Sequence, residues 1–381
     1  MLGNDIQIKQ LVGVGDVHLS FLPEQRVYCL IGENGIGKTK CLEALFTAYA
    51  ASNKRINKIV SDLDINEEFR QFKSFTTENL IVEFMTGDYV LTFKDFRKAS
   101  DFKIPFVISS INNRGSIEEG RGIDNNIGNL NKRQSDYFLK VGEWFYTDNK
   151  RGEMFSDDIK EWVVQRARSA NPYQAKEDNR EVEITTLLDL LHKVDERIDS
   201  KFLELSGSNR VFIKVAEQKT ELSELSSGFA SILKIMQSII AGYSYFTNET
   251  NIAHVKGVVF IDEIESHLHT KWQATIIPTL KRLFPNTTFY ITTHSAIVLS
   301  QLQHGEAYEL YRDKEDGVVK TEMIEHPNNA AFVDLLKDAF DIDINQLKLA
   351  RDNAPNQQSA KKMLSELLEK RINELKEGTQ L

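Results

Sequence analysis

Polar and apolar residues alternate twice near the start of the chain. Asp5 to Gln10 sets Ile6 and Ile8 on one face, and Asp16 to Phe21 repeats the pattern with Val17, Leu19 and Phe21. A period of two predicts half-buried β-strands. Val27-Tyr28-Cys29-Leu30-Ile31 is instead continuously apolar and runs into glycine, the pattern of a strand covered on both faces. From Lys38 to Ala50 the period changes: Cys41, Leu42, Leu45, Phe46 and Tyr49 recur at helical spacing. Residues 79–96 predict a hairpin around Thr86-Gly87-Asp88, and Ile104 to Ile111 predicts another buried strand.

The Asn- and Gly-rich stretch from Asn112 to about Lys132 reads as a loop. Residues 157–205 read as helices with a break at Ser169-Ala170-Asn171-Pro172, and Val211 to Val215 as a strand returning to the core. Asn356 to Glu377 predicts an amphipathic helix with Met363, Leu364, Leu367, Leu368, Ile372 and Leu375 on one stripe, for the chain's own core or for a partner. No internal repeat is evident.

The 381 residues are 41% hydrophobic and 27% charged, enough for one large or two ordinary domains. Forty-seven Lys and Arg against 56 Asp and Glu leave a formal charge of −9. That excludes a uniformly basic nucleic-acid coat but not a local groove. Candidate basic clusters are Lys94, Arg97, Lys98 and Lys103, and Lys132, Arg133 and Lys140. Cys29 and Cys41 both fall in expected core elements, so no disulfide framework is expected. No apolar run nears the roughly 18 residues of a membrane span, and the first residues lack a secretory pattern. The expectation is a cytoplasmic protein with no membrane partner.

The strand at 27–31 leads into Gly32-Glu33-Asn34-Gly35-Ile36-Gly37-Lys38-Thr39-Lys40, and a helix follows. This is the G-x-x-x-x-G-K-[ST] pattern in strand–loop–helix context. Glycines let successive backbone N–H groups turn inward as an anion cradle, and the helix N-terminus adds its free donors. Lys38 then meets the β- and γ-phosphates of ATP, and the Thr39 hydroxyl is suited to Mg²⁺. Gly257 to Ile261 predicts a second buried strand, ending in Asp262-Glu263. Beside the phosphate loop it would deliver Asp262 next to Thr39 to hold Mg²⁺, with Glu263 set to orient or deprotonate a water.

Two further segments are ambiguous alone. Leu222-Ser223-Glu224-Leu225-Ser226-Ser227-Gly228-Phe229 precedes a helical run containing Ile232, Leu233, Met236, Ile239, Ile240 and Tyr243. It reads as a second anion site or as an ordinary N-cap. Thr288 to Ile291 predicts a strand ending in Thr292-Thr293-His294-Ser295, and a lone histidine is often structural.

The order of the four segments resembles the ABC-type ATPase superfamily, and within it the SMC/RecF-like branch and the AAA_21-like ATPases of bacterial anti-phage systems. Ile261 to Gln273 is close to the D-E-x-E-x-H-L-H-P-x-W-Q run of that group. Phe284-Pro285-Asn286 and Thr293 to Leu299 are similar to its following strand and switch. The likeness covers about 20–50 and 210–305.

The resemblance implies an α/β P-loop head: a mixed, mainly parallel core sheet, an antiparallel N-terminal lobe and a helical insertion. The expected divisions are 1–111, 112–205, 206–330 and a helical extension at 331–381. It also implies a head-to-tail dimer or higher oligomer, with Ser226, Ser227 and Gly228 acting on the partner's nucleotide. Glu263 positions water, His294 contacts the γ-phosphate, and Glu265 to His269 crosses the dimer interface. The implied role is a sensor ATPase controlling a separately encoded nuclease or toxin, since no further metal-dependent unit is evident after 305. A DNA-maintenance clamp with DNA as partner and an ATP-dependent scaffold with little turnover are the alternatives. Two departures stand out. The signature reads L-S-S-G-F rather than L-S-G-G-Q, and no Mg²⁺-sensing glutamine is identifiable beyond the stand-ins Gln71 and Asn112-Asn113.

Overall fold

The computed structural model describes residues 3–53, 55–56, 71–78, 80–83, 104–109, 114, 127–144, 159–170, 173–175, 177–329, 335, 337 and 362–367. The chain divides into two compact units, Met1–Ala330 and Ala331–Leu381. Of the amphipathic stripe expected in the second unit, only 362–367 is described, as helix; its remainder lies outside the described residues.

The strands of the first unit are β1 (Asp5–Leu11), β2 (Gly15–Ser20), β3 (Val27–Gly32), β4 (Ser74–Thr77), β5 (Ile81–Glu83), β6 (Phe106–Ser109), β7 (Ile198–Leu205), β8 (Val211–Val215), β9 (Gln218–Glu221), β10 (Gly257–Ile261), β11 (Thr287–Thr292), β12 (Ala307–Arg312) and β13 (Val319–Met323). Its helices are α1 (Lys38–Ala51), α2 (Leu130–Trp144), α3 (Ile159–Ser169), α4 (Glu181–Val194), α5 (Ser227–Ser244), α6 (Thr270–Gln273), α7 (Ile276–Leu283) and α8 (Ala296–Leu299).

Among the described residues, ten strands form one mixed sheet in the order β5-β4-β1-β2-β13-β12-β3-β11-β10-β6. From β12 to β6 all neighbours run parallel. The pairs β1–β2, β1–β4 and β4–β5 are antiparallel and extend the same sheet. Every residue of β3, β10 and β11 is buried, as in strands covered on both faces. Tyr28, Tyr290 and Phe260 sit in register on these three strands. Their rings stack at 5.0 and 5.2 Å, and Phe46 of α1 meets Phe260 edge-on at 5.7 Å. Each such contact contributes about 0.5–1.5 kcal/mol beyond burial. Together they seat α1, and with it Lys38 and Thr39, against the strands that carry the acidic residues.

β11 pairs with both β3 and β10 and separates them, and Thr39 at the start of α1 reaches Asp262 at the end of β10 across it. Two expectations need correction, and one pairing was not predicted. Residues 198–205 are not helical but form β7, whose antiparallel pairing with β8 overrides a charged, weakly patterned sequence. Val211–Val215 does not rejoin the main sheet; β7, β8 and β9 form a separate antiparallel sheet. Finally, β5 is paired with β4, which the sequence pattern missed, through a turn in which Thr77 N–H bonds the Leu80 carbonyl at 2.7 Å. The other arm of the expected hairpin lies outside the described residues.

Around the sheet, Asn129 caps α2 by accepting from Lys132 N–H at 3.0 Å, so helix begins inside the expected loop. Glu183 binds α3 to the start of α4, accepting from Arg166 Nε at 3.0 Å and Arg180 Nε at 2.6 Å. The Tyr243 hydroxyl of α5 shares a 2.5 Å hydrogen bond with Thr287 of β11, which anchors the helix following the expected signature.

Candidate functional site

The loop between β3 and α1 is shaped by its glycines. Gly32 has φ +136°, and a Cβ there would lie 2.6 Å from the Leu310 carbonyl oxygen. Gly37 has φ +112°, and its Cβ would lie 2.6 Å from Val14. Neither position admits a side chain. Lys38 is buried, and its Nζ donates to the Gly32 and Glu33 carbonyls at 2.8 and 2.9 Å. Burial pulls its ammonium below the usual lysine range, while the Glu263, Asp262 and Glu265 carboxylates oppose that shift. Glu33, Asn34 and Gly35 are exposed, and Ile36 is half-buried. Lys40 turns to Glu43, one helical turn on, at 2.9 Å.

β10 ends in Asp262. The Thr39 hydroxyl donates to its two carboxylate oxygens at 3.0 and 3.1 Å, and the Thr292 hydroxyl reaches Oδ1 at 2.6 Å. The separation of β10 from β3 is therefore bridged twice, by α1 from above and by β11 from between. Glu263 follows in the left-handed region at φ +42°. Its N–H donates to Thr292 Oγ1 at 2.7 Å, and its Oε2 accepts from the Ser266 hydroxyl at 3.1 Å.

Arg114, which no sequence pattern singled out, is 2% exposed and donates to the carbonyl oxygens of Asp262 and Glu263. Burial lowers its pKa to about 10, opposed by the Asp262, Glu265 and Glu263 carboxylates, so it stays charged at neutral pH. Glu265 accepts from the Thr293 hydroxyl and from His294 N–H, both at 2.6 Å. The His294 residue is exposed beside it. Lys38, Thr39, Asp262, Glu263 and His294 thus gather at the C-terminal ends of β3, β11 and β10, where open parallel sheets bind ligands.

The signature residues sit elsewhere. Ser226 caps α5, accepting from Phe229 N–H at 3.4 Å. Gly228 is packed tightly: a Cβ would lie 3.1 Å from both the His267 carbonyl and the Trp272 ring. Ser231 Oγ donates to the Ser266 carbonyl at 3.1 Å. Ser226 and Ser227 are exposed, and among the described residues no hydrogen bond joins them or Gly228 to the phosphate loop.

Gln71 does not reach this centre. Its Oε1 accepts from Thr47 at 2.5 Å, eight residues beyond Thr39 and so about 12 Å along α1. Asn112 and Asn113 lie outside the described residues, as does the basic cluster at 94–103. The second basic cluster is not a free cationic face. Arg133 is buried and donates to the Ser244 and Gly128 carbonyls, and Lys132 pairs with Asp136 at 3.0 Å.

The donor set fits the groups that the motifs imply. Thr39 and Asp262 converge two hard oxygen ligands, and Mg²⁺ is usually held by one or two protein oxygens together with substrate phosphates. Among the described residues no larger cluster of metal-ligating side chains occurs, and no helix is long and apolar enough to cross a membrane.

Residues 133–300 match the AAA_21 family model, described as "AAA domain, putative AbiEii toxin, Type IV TA system". The chain is 27% identical over 292 residues to Septu protein PtuA of Bacillus mycoides, covering 75% of this chain and 36% of that protein. It is 22% identical over 339 residues to Septu protein PtuA of Bacillus thuringiensis, covering 82% and 77%. To the "Retron Vc95 probable ATPase" of Vibrio cholerae it is 30% identical over 176 residues, covering 45% and 32%. The match thus spans about a third of the length of two of these three relatives. Among solved structures, an SMC head bound to the C-terminal winged-helix domain of ScpA aligns over 84% of this chain and 98% of that one, at TM-score 0.42 and 11% identity. Of the resemblance drawn from the motifs, the AAA_21 part is met by the match over 133–300 and by the similarity to a probable ATPase.

Proposed function

We propose that this chain is a Mg²⁺-dependent ATPase that closes head to tail with a second copy, and that it serves bacterial anti-phage defence by controlling a separate nuclease or toxin. One observation carries the ATPase reading: Thr39, Asp262, Thr292 and Glu263 form a continuous hydrogen-bonded set at the ends of β3, β11 and β10, beside the Lys38 loop. ATP with Mg²⁺ would supply the phosphoryl group and its charge neutralisation. Lys38 and the loop N–H groups hold the phosphates, and Thr39 and Asp262 hold the cation. Glu263, held by Ser266, orients the attacking water and receives its proton. His294, fixed through its backbone by Glu265, faces the terminal phosphate.

Exposed Ser226 and Ser227 at a helix start support closure against a partner's nucleotide. Hydrolysis then releases the pair, because the terminal phosphate is the contact that distinguishes closed from open. The likeness to the Septu and retron proteins supports the defence role.

The deciding experiment compares wild type with Glu263→Gln. Wild type should hydrolyse ATP only with Mg²⁺. Glu263→Gln should lose about 10²–10⁴-fold in turnover, the scale of a general base. It should also retain ATP and run as a dimer in light scattering. A Glu263→Gln protein that stays monomeric with bound ATP removes the clamp. Wild type that neither binds nor hydrolyses ATP removes the whole reading.

A further inference from the structure

We infer that Arg114 is a positioning residue whose guanidinium, forked across the carbonyl oxygens of Asp262 and Glu263, sets the turn that aims the Glu263 carboxylate. The inference rests on the reading of Glu263 proposed above.

The turn needs holding. Glu263 has a Cβ and φ +42°, a strained conformation that persists only where its surroundings over-determine it. The surroundings do so. Asp262 N–H donates to Ser109 at 3.3 Å, Glu263 N–H to Thr292 Oγ1 at 2.7 Å, and Ile264 N–H to the Thr292 carbonyl at 3.1 Å. That accounts for the donors. The Glu263 carbonyl accepts from Ser266 N–H at 2.9 Å and from Arg114 Nη1 at 3.1 Å, and the Asp262 carbonyl accepts from Arg114 Nη2. Among the described residues, Arg114 alone joins the two consecutive carbonyls. A planar guanidinium presents parallel N–H groups at the spacing such a pair needs, and an ammonium does not.

The bland alternative is that Arg114 is only a counter-charge for Asp262, Glu263 and Glu265. Lysine separates the two roles, since it keeps the charge and loses the fork. Arg114→Lys and Arg114→Met would be compared with wild type in the full chain. The first measurement is hydrogen–deuterium exchange of the 262–266 amides without nucleotide, which reports local opening. The second is steady-state turnover set against ATP affinity. We expect both variants to exchange about tenfold faster at 262–266, with α1 and β11 unchanged. We expect turnover to fall about tenfold or more, on the scale of a misplaced catalytic group. ATP affinity should stay within about twofold of wild type, a split that general unfolding would not give.

An Arg114→Lys protein that exchanges and turns over like wild type, beside an impaired Arg114→Met, overturns the positioning role in favour of the charge. Should neither variant fold, unprotected 263 and 264 amides in wild type overturn it equally. If wild type does not hydrolyse ATP, the proposed function falls, and exchange at 262–266 alone still judges whether Arg114 holds the turn.

Discussion

The phosphate-loop edge and the signature turn lie on the same chain but are finished in different ways. At the edge, the side chains of Lys38, Thr39, Asp262, Glu263 and Glu265 all have polar partners within the molecule. At the signature turn, Ser226 and Ser227 are exposed, with only a long 3.4 Å cap bond from Phe229 N–H to Ser226, while the glycine behind them is locked against Trp272 and the His267 carbonyl. The contrast separates two kinds of site. The edge is already held together by its own hydrogen bonds. The turn is rigid in its backbone and open in its chemistry, as expected of a surface that another molecule completes. Trp272 and Ser266 connect the two, because the segment from Glu263 to Gln273 touches α5 on one side and the His294 strand end on the other.

Breaking the edge should have the largest effect. Lys38→Ala removes two charge-assisted bonds to the loop carbonyls as well as the phosphate contact. At about 1.5–3 kcal/mol for a hydrogen bond to a charged group, ATP affinity should fall by about tenfold to more than 10²-fold. Titration calorimetry with ATP and Mg²⁺ measures it, and unchanged affinity would mean that this loop is not a phosphate cradle. The signature turn should behave oppositely. Gly228→Val drives a branched side chain into atoms 3.1 Å from the Cβ position. We expect a single head to keep its ATP affinity within about twofold while turnover falls at least about tenfold, because the displaced turn no longer meets its partner. Equal loss of binding and turnover would collapse the distinction between the two regions.

The edge was legible in the sequence because its parts are local: a glycine-spaced loop after an apolar strand, and paired carboxylates after another. What was illegible is whatever depends on which strand lies beside which. β11 between β3 and β10 is a tertiary fact, and it is why Thr292, at the end of β11, bridges to Asp262. Arg114 was hidden for the same reason, since an isolated arginine in an Asn- and Gly-rich stretch carries no period and no motif. β7 was misread because half-buried, charged strand residues give a weak alternation that pairing with β8 decides. The signature turn lies between these cases. Its hydroxyl-rich helix start was visible, but the reason for Gly228 was not, because Trp272 reaches it from 44 residues away in sequence.

The smallest effect is also the most discriminating. Ser226 does two things that a single substitution can part. As an N-cap it accepts from Phe229 N–H at a long 3.4 Å, so its loss as a cap should cost about 0.5 kcal/mol, the low end for such residues. For a unit of this size that is a melting shift of roughly 1–2 °C. A hydroxyl that meets a partner's phosphate would instead be worth about 1.5 kcal/mol or more, close to tenfold in rate. Ser226→Ala should therefore melt within about 2 °C of wild type yet turn over about tenfold more slowly, with single-head ATP affinity unaltered. If melting moves and turnover does not, Ser226 is a cap and nothing more, and the openness of the turn must be assigned to Ser227 or abandoned.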